Sequence, residues 1–433
     1  MKIAVAGFGI EGRTNYEYFK EKFPSAEITI VDEHRHIDGA VPVGAATLLG
    51  PGAFEQLDGF DMVVRTAGLA PRKIATDGHV WSATNEFFAV CPAPIIGVTG
   101  TKGKGTTASL IASILQAAGK TVHLVGNIGV PGLGELKAIQ PSDVVVYELS
   151  SFQLWDLQRS PHVAVVLMIE PDHLDVHSDM AEYIAAKSQI VAHQGAHDVT
   201  IYHPNNTLSA EVAHLSIGKK YRYGISDDGA VYVESNNFCV QGHAICSVDT
   251  LHLVGKHNIE NACAAITAVR LLDQDVSDQA VANGLAGFDG LPHRLRLVKR
   301  VGGISYYDDS IATTPGSAIA ALRAFDQPKV IILGGSDKGA NYESVVALCR
   351  DTSSKVVTMG QTGKQIAELC EKLGVSYREA ESMERAVQLS RQLAEPGGVV
   401  ILSPAAASFD MFTSYVDRGQ QFVAAVERLA EVQ

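Results

Sequence analysis

Short apolar runs that end in glycine turns and hand over to amphipathic stretches set the rhythm of the chain. The run Lys2 to Ala6 closes on Gly7, a helix-like stretch follows to about Lys22, and a second apolar run covers Ile28 to Asp32. That order predicts a βαβ unit. The alternation continues to about Phe88, where VCPAPIIG sets two prolines before a new apolar run, so a first boundary is expected near residue 92. IIGVTG, a helix from about Lys104, and the runs TVHLV, DVVVYE and VAVVLMI then predict a second sheet whose strands are apolar on both faces, as in parallel sheets covered by crossover helices. Residues 218–253 alternate polar and apolar positions with frequent turn signals, which predicts an antiparallel meander. An alanine-rich helix is expected from about Asn258, a second joint at GFDGLPHR (287–294), and a third βα series from Ile304 through ISYYDD, KVIILGG, KVVTMG and GVVILS. The predicted fold class is α/β in three domains. Residues 1–91 and 292–433 are Rossmann-like; residues 92–291 hold a mostly parallel sheet with a small antiparallel part.

The 433 residues suit two or three domains at roughly 150 residues each. With 48 acidic against 35 basic residues the net charge is −13, which argues against a broad basic face for nucleic acid. The longest apolar stretch, Val163 to Ile169, falls far short of the ~20 residues that cross a bilayer. The first strand begins at Lys2 with no signal-like segment ahead of it, so a soluble, cytoplasmic protein without a membrane partner is expected. Six cysteines without a CxxC pair read as reduced core residues. Cys239, His243 and Cys246 amount to half a metal site with no second pair to complete it.

Two glycine loops carry the first chemistry. Gly7, Gly9 and Gly12 spell GxGxxG between a strand and a helix, and Asp32 ends the next strand. Such glycines let backbone N–H groups and a helix N-terminus approach a pyrophosphate. The ligand could be NAD or a nucleotide sugar, and a purely structural turn is the bland alternative. The second loop, Thr99 to Thr107, reads TGTKGKGTT and resembles a P-loop, although Val98 stands where the strict pattern has glycine and Gly105 follows the lysine. Gly100, Thr101, Lys102, Gly103, Gly105 and Thr107 would surround triphosphate oxygens. Lys104 would neutralise the β/γ charge and Thr106 would offer a hydroxyl to Mg²⁺. Glu148 closes an apolar strand, where a carboxylate faces the ligand crevice and suits Mg²⁺. IEPDHLDVH puts Asp172, His173, Asp175 and His177 in one loop; His173 is taken as a ligand near the metal and His177 as solvated. Lys187, among alanines and isoleucines, reads on its own as a snorkelling lysine.

Taken in order, these pieces resemble the Mur ligase family of ATP-dependent amide-forming ligases over essentially the whole chain. The matching elements are GFGIEG, TGTKGKGTT, GNIG at 126–129, YELSSFQL at 147–154, PDHLDVH at 171–177, AAK ending at Lys187, GKHNIENACAA at 255–265, PHR at 292–294, DDSIATTP at 308–315, GGSDKG at 334–339 and LSPAAASFD at 402–410. The resemblance implies that Ile10, Glu11, Asp32, Glu33, Thr66, Ala67 and Gly68 hold the UDP end of a sugar-peptide substrate, with Asn127 and His173 near its reacting carboxylate. It implies that Lys187 is carbamylated by CO₂ and shares a second Mg²⁺ with His173, besides the ion at Thr106 and Glu148. Asn258, Asn261, Arg294 and Asp309 match ATP positions; Thr313, Lys338, Ser408 and Tyr415 match positions for an incoming glutamate. Gly105, Ile311 and Tyr415 depart from the glutamate-adding pattern, which has Ser or Thr, lysine and often Phe there, and TKGKGTT is closer to the folylpolyglutamate branch.

The implied activity is ATP-dependent addition of glutamate, D in preference to L, to a UDP-linked muramoyl-alanine, a step of peptidoglycan precursor synthesis, by a monomer. The reacting carboxylate would become an acyl phosphate, and the third domain is expected to close over the second about Gly290 to His293 to keep water out. A folylpolyglutamate-like ligase, an NAD-dependent dehydrogenase and a non-catalytic nucleotide-binding protein are the rival readings. Each leaves part of the motif set idle.

Overall fold

In the computed structural model, which describes residues 1–37, 41–226 and 229–429, the chain opens with β1 (Lys2–Ala6), β2 (Glu27–Asp32), β3 (Ala46–Leu49), β4 (Met62–Arg65) and β5 (His79–Ser82). They form an all-parallel sheet in the order β3-β2-β1-β4-β5. Three of its strands end near one another at β1, β2 and β4, and the Gly7–Gly12 turn leads from β1 into the helix Ile10–Lys22. A Cβ at Gly12 would lie 2.0 Å from the Gly7 carbonyl oxygen, so only glycine lets this helix approach its strand so closely.

The second sheet contains β6 (Ile95–Thr99), β7 (Val122–Gly126), β8 (Val144–Glu148), β9 (Val163–Val166), β10 (Val199–Tyr202) and β11 (Lys219–Arg222), in the order β11-β10-β9-β6-β8-β7. Every residue of β6, β8, β9 and β10 is buried, which is why these strands read as unbroken apolar runs. The expected meander is corrected at its start. Lys219–Arg222 pairs parallel with β10, and only β12 (Tyr232–Glu234), β13 (Asn237–Val240) and β14 (His243–Ser247) form an antiparallel sheet. As an edge strand, β11 is only partly covered, so its sequence imitates an antiparallel strand. Asp227 and Asp228, inside the expected meander, lie outside the described residues.

The third large sheet takes β15 (Arg296–Val301), β16 (Ile304–Asp308), β17 (Lys329–Leu333), β18 (Lys355–Thr358), β19 (Tyr377–Glu379) and β20 (Val399–Leu402) in the order β15-β16-β20-β17-β18-β19. All its pairs are parallel except β15 with β16, a hairpin through Gly302 and Gly303 that the βα rhythm did not announce. The chain divides into two units: Met1–Leu251 with Glu260–Phe288, and His252–Ile259 with Asp289 onward.

Within the first unit, Arg65 at the end of β4 is fully buried. Its Nε donates to Asp156 Oδ2 (2.7 Å) and its Nη2 to the Phe152 carbonyl (3.2 Å). This pair fixes the first sheet against the segment after β8. Removing Asp156 would strand the buried Arg65 charge, a change that costs ~3–5 kcal/mol.

Candidate active site

The phosphate loop leaves β6 and enters the helix Lys104–Ala117, which starts on Gly103 at φ +85°. A Cβ at Gly103 would stand 2.5 Å from Asn261 Oδ1, so Asn261 is packed directly against the loop. Thr101 shapes the turn: its Oγ1 donates to the Glu170 carbonyl (3.0 Å), accepts from Glu170 N (2.9 Å) and lies 3.0 Å from the Tyr183 hydroxyl. Lys104 Nζ reaches back to the Thr101 carbonyl (3.1 Å), while Lys102 is exposed beside Glu170. Gly105, Thr106 and Thr107 lie buried in the first turn. Thr107 Oγ1 is buried without a hydrogen-bond partner, an orphan donor at a helix N-terminus.

Lys187 is not a snorkelling lysine. It is 1% exposed, and its Nζ donates to the Gly100 carbonyl (2.8 Å), approaches Thr99 Oγ1 (3.4 Å) and sits over the Tyr183 ring. Burial, reinforced by the Lys104 charge, pushes its amine well below the usual lysine range, against the pull of Asp172 and Glu148. Glu148 is buried at the end of β8 and accepts from Asn127 Nδ2 (3.0 Å). His173 lies at φ +54° on an exposed loop, its ring 5.0 Å from that of Phe152. His177, expected to be solvated, is buried instead: its Nε2 is 2.9 Å from Ser151 Oγ, and its ring packs against Phe152, Trp155 and Tyr183. Burial lowers its pKa, against the pull of Glu182.

This donor set fits a hard divalent cation: a buried carboxylate, a threonine hydroxyl at the loop and hydrogen-bonded oxygens rather than thiols. Among the described residues no cluster of three or more His, Cys, Asp or Glu side chains could hold an ion alone. The half site at Cys239, His243 and Cys246 stays incomplete, and His243 Nε2 instead lies 2.7 Å from Asp278 Oδ2.

At the first glycine loop, Glu11 is half-buried and accepts from Ala67 N (2.8 Å). Thr66 Oγ1 donates to the Ala6 carbonyl (3.3 Å). Asp32 accepts from Phe8 N (2.8 Å) and His34 N (3.0 Å). Burial alone would raise the Asp32 carboxyl, but these bonds hold it below the usual range. Ile10, Glu33 and Gly68 are exposed at the rim. A cavity of about 300 Å³ joins this loop to the second sheet, with Glu11, Gly68, Gly126, Asn127, Ser150 and Gln153 among its walls. The structure thus brings Glu11, Ala67, Gly68 and Asn127 to one cavity, and Lys104 and Glu148 close enough to Lys187 for their charges to act on it.

In the second unit, Asp309 is buried, accepts from Ser403 Oγ (2.7 Å) and Leu295 N (3.1 Å), and is pushed up to about 7 by that burial. Arg294 is exposed, and Asn258 donates from Nδ2 to the Val254 carbonyl (2.7 Å). Thr313, Lys338 and Tyr415 are exposed and Ser408 is buried. Their loops are tied together. Fully buried Arg418 donates to the Ser310 carbonyl (2.7 Å) and the Ala406 carbonyl (3.0 Å), Ser310 Oγ donates to the Tyr415 carbonyl (2.7 Å), and Ser336 N donates to the Ala407 carbonyl (2.8 Å). Sequence reasoning passed over Arg418 and Tyr183. Only Tyr183 left a signal, one helical turn before Lys187.

A parallel α/β sheet with a glycine loop and lysine at a helix N-terminus defines a nucleoside-triphosphate-handling protein. Residues 98–269 match the Mur ligase middle domain and residues 293–406 the Mur ligase, glutamate ligase domain. A UDP-N-acetylmuramoylalanine–D-glutamate ligase of Clostridium botulinum (strain Langeland) is 31% identical over 99% of this chain and 97% of its own length. One of the same name from Clostridium kluyveri is 33% identical over 97% and 95%. The chain belongs to the Mur ligase family. Its fold is shared by the UDP-N-acetylmuramate-alanine ligase of Thermotoga maritima (TM-score 0.61, 18% identity, 99% of each chain covered). It is shared too by the folylpolyglutamate synthase of Mycobacterium tuberculosis, solved with ADP (TM-score 0.58, 16% identity, 81% of this chain and 94% of that one).

Proposed function

We propose that the protein is an ADP-forming ligase that joins D-glutamate to UDP-N-acetylmuramoyl-L-alanine in peptidoglycan precursor synthesis. The observation that carries this reading is the near full-length likeness to ligases named for that reaction, at 31% and 33% identity. The buried Lys187 against the phosphate loop supports it, because neither a dehydrogenase nor a passive nucleotide binder has use for an amine buried there.

A carboxylate does not acylate an amine unaided. ATP transfers its γ-phosphoryl group to the substrate carboxylate, giving an acyl phosphate and ADP; the glutamate amine then attacks the acyl carbon and phosphate leaves. Lys104 and the N–H groups of the loop offset the charge on the transferring group. Asn127, whose Nδ2 donates to Glu148, is assigned the task of orienting the carboxylate. Burial favours the unprotonated form of the Lys187 amine, the form that would add CO₂ and become an anionic carbamate. Mg²⁺ held by Thr106, Glu148, His173 and that carbamate would neutralise phosphate oxygens. The proposal assigns residues 1–91 to the UDP end, 92–291 to ATP and 292–433 to glutamate, the last through Thr313, Lys338, Ser408 and Tyr415. Asn258, Asn261, Arg294 and Asp309 are assigned to ATP. It includes a monomer working in the cytoplasm, and no helix among the described residues is long and apolar enough to cross a membrane.

ADP release with UDP-N-acetylmuramoyl-L-alanine and a panel of D- and L-amino acids tests the reading. Turnover with D-glutamate is expected, with little from L-glutamate or the shorter D-aspartate. Preference for alanine or lysine would overturn the acceptor assignment, and no ADP with any acceptor would overturn the ligase reading.

A further inference from the structure

Asn15 lies one helical turn after Glu11 on the same face of the helix Ile10–Lys22. It is 0% exposed, yet neither its Nδ2 nor its Oδ1 has a hydrogen-bond partner. No other described side chain has two buried polar atoms left unpartnered. An amide so placed is costly to bury, and a merely structural position would be more stable with an apolar residue. Asn15 also lines the cavity of about 300 Å³ between the first and second sheets.

The chemistry of that cavity defines its occupant. Amides and hydroxyls from Asn127, Ser150 and Gln153 face it, Phe152 gives it an apolar wall, and no lysine or arginine lines it. Its one acid, Glu11, has its pKa raised, chiefly by burial. A phosphate would find no counter-charge there. A neutral, hydroxyl-rich group bearing an amide would find donors, acceptors and an apolar face. We infer that Asn15 is a specificity-determining residue whose side-chain amide hydrogen-bonds the neutral N-acylated sugar of the nucleotide substrate. The inference rests on the sugar-nucleotide reading above and adds to it the part of the substrate read at this point.

Calorimetric titration of the full-length protein with UDP and with UDP-N-acetylmuramoyl-L-alanine tests it. Asn15→Ala is expected to weaken the sugar nucleotide by about tenfold while UDP changes by less than about twofold, the loss appropriate to one or two hydrogen bonds. The thermal midpoint of the free variant should be unchanged or higher, since an unmet amide has been removed. Asn15→Thr, which keeps one hydroxyl, should fall between, and carries the test if the alanine variant folds poorly. Equal weakening of both ligands, unchanged binding of both, or a lower midpoint with an unchanged ratio of affinities would overturn the inference, leaving Asn15 as packing or a water site. Wild-type ADP release with the same substrate separates the two readings. If it occurs while the variant's ratio is unchanged, the inference alone falls. If wild type binds no sugar nucleotide, both fall.

Discussion

The two glycine loops of the first unit use the same backbone device for opposite electrostatic ends. Each leaves the C-terminal end of a buried parallel strand and turns into a helix N-terminus that no side chain caps. In the second loop the first helical residue is Lys104, and a second lysine is buried behind it. In the first loop the corresponding turn carries Glu11, followed by Asn15, facing a cavity without a lysine or arginine. Strand, glycine and helix alone therefore do not specify a ligand. The side chains of the first two turns differ, Lys104 in one and Glu11 with Asn15 in the other, and on the readings proposed above they separate a polyanion site from a neutral one.

The comparison breaks first at Lys104. Lys104→Ala should lower turnover by at least ~10³-fold, about 4 kcal/mol of transition-state stabilisation, because the loop loses the full charge at its helix start. ADP release measures this, and near-normal turnover would mean that the second loop is no more electrostatic than the first. Lys187→Ala should cost ~10²-fold or more and be partly restored by formate or acetate, which can supply the carboxylate that a carbamate would provide. The same acids should not restore Lys104→Ala. Full activity of Lys187→Ala would show that the buried amine only packs.

How far these differences could be read from sequence follows from what each depends on. The strands flanking both loops are apolar on both faces and the glycine spacings are local, so position and type of element were legible. The edge strand β11 was not, because partial exposure gives it a polar pattern. His177 was misread as solvated because Phe152 and Trp155, which cover it, arrive from a different segment. Lys187 sits in a helix whose alternation suits snorkelling; the Gly100 carbonyl and the Tyr183 ring that enclose it are tertiary facts. Asn15 left no signal, being one polar residue in a largely polar helix, and its meaning appears only once two sheets close a cavity over it.

The smallest expected effect concerns the charge state of the first loop. Burial raises the pKa of Glu11, against the opposing Ala67 N–H bond and the Arg65 charge. A carboxyl whose folded pKa exceeds its unfolded value contributes stability that is fully present below the unfolded pKa, about 4.5, and is lost as pH rises through the folded value. A glutamine in its place would be neutral throughout, and the amide oxygen could still accept from Ala67 N. Glu11→Gln should therefore match wild type in thermal midpoint near pH 4.5 and exceed it by roughly 1–3 °C near pH 8, with the gap opening as pH rises. Thermal unfolding of both proteins across that range reads the gap. A gap that is constant, or that favours wild type at high pH, would mean that the ionised carboxylate is stabilised in place. The first loop would then be a charged site like the second, with the sign reversed.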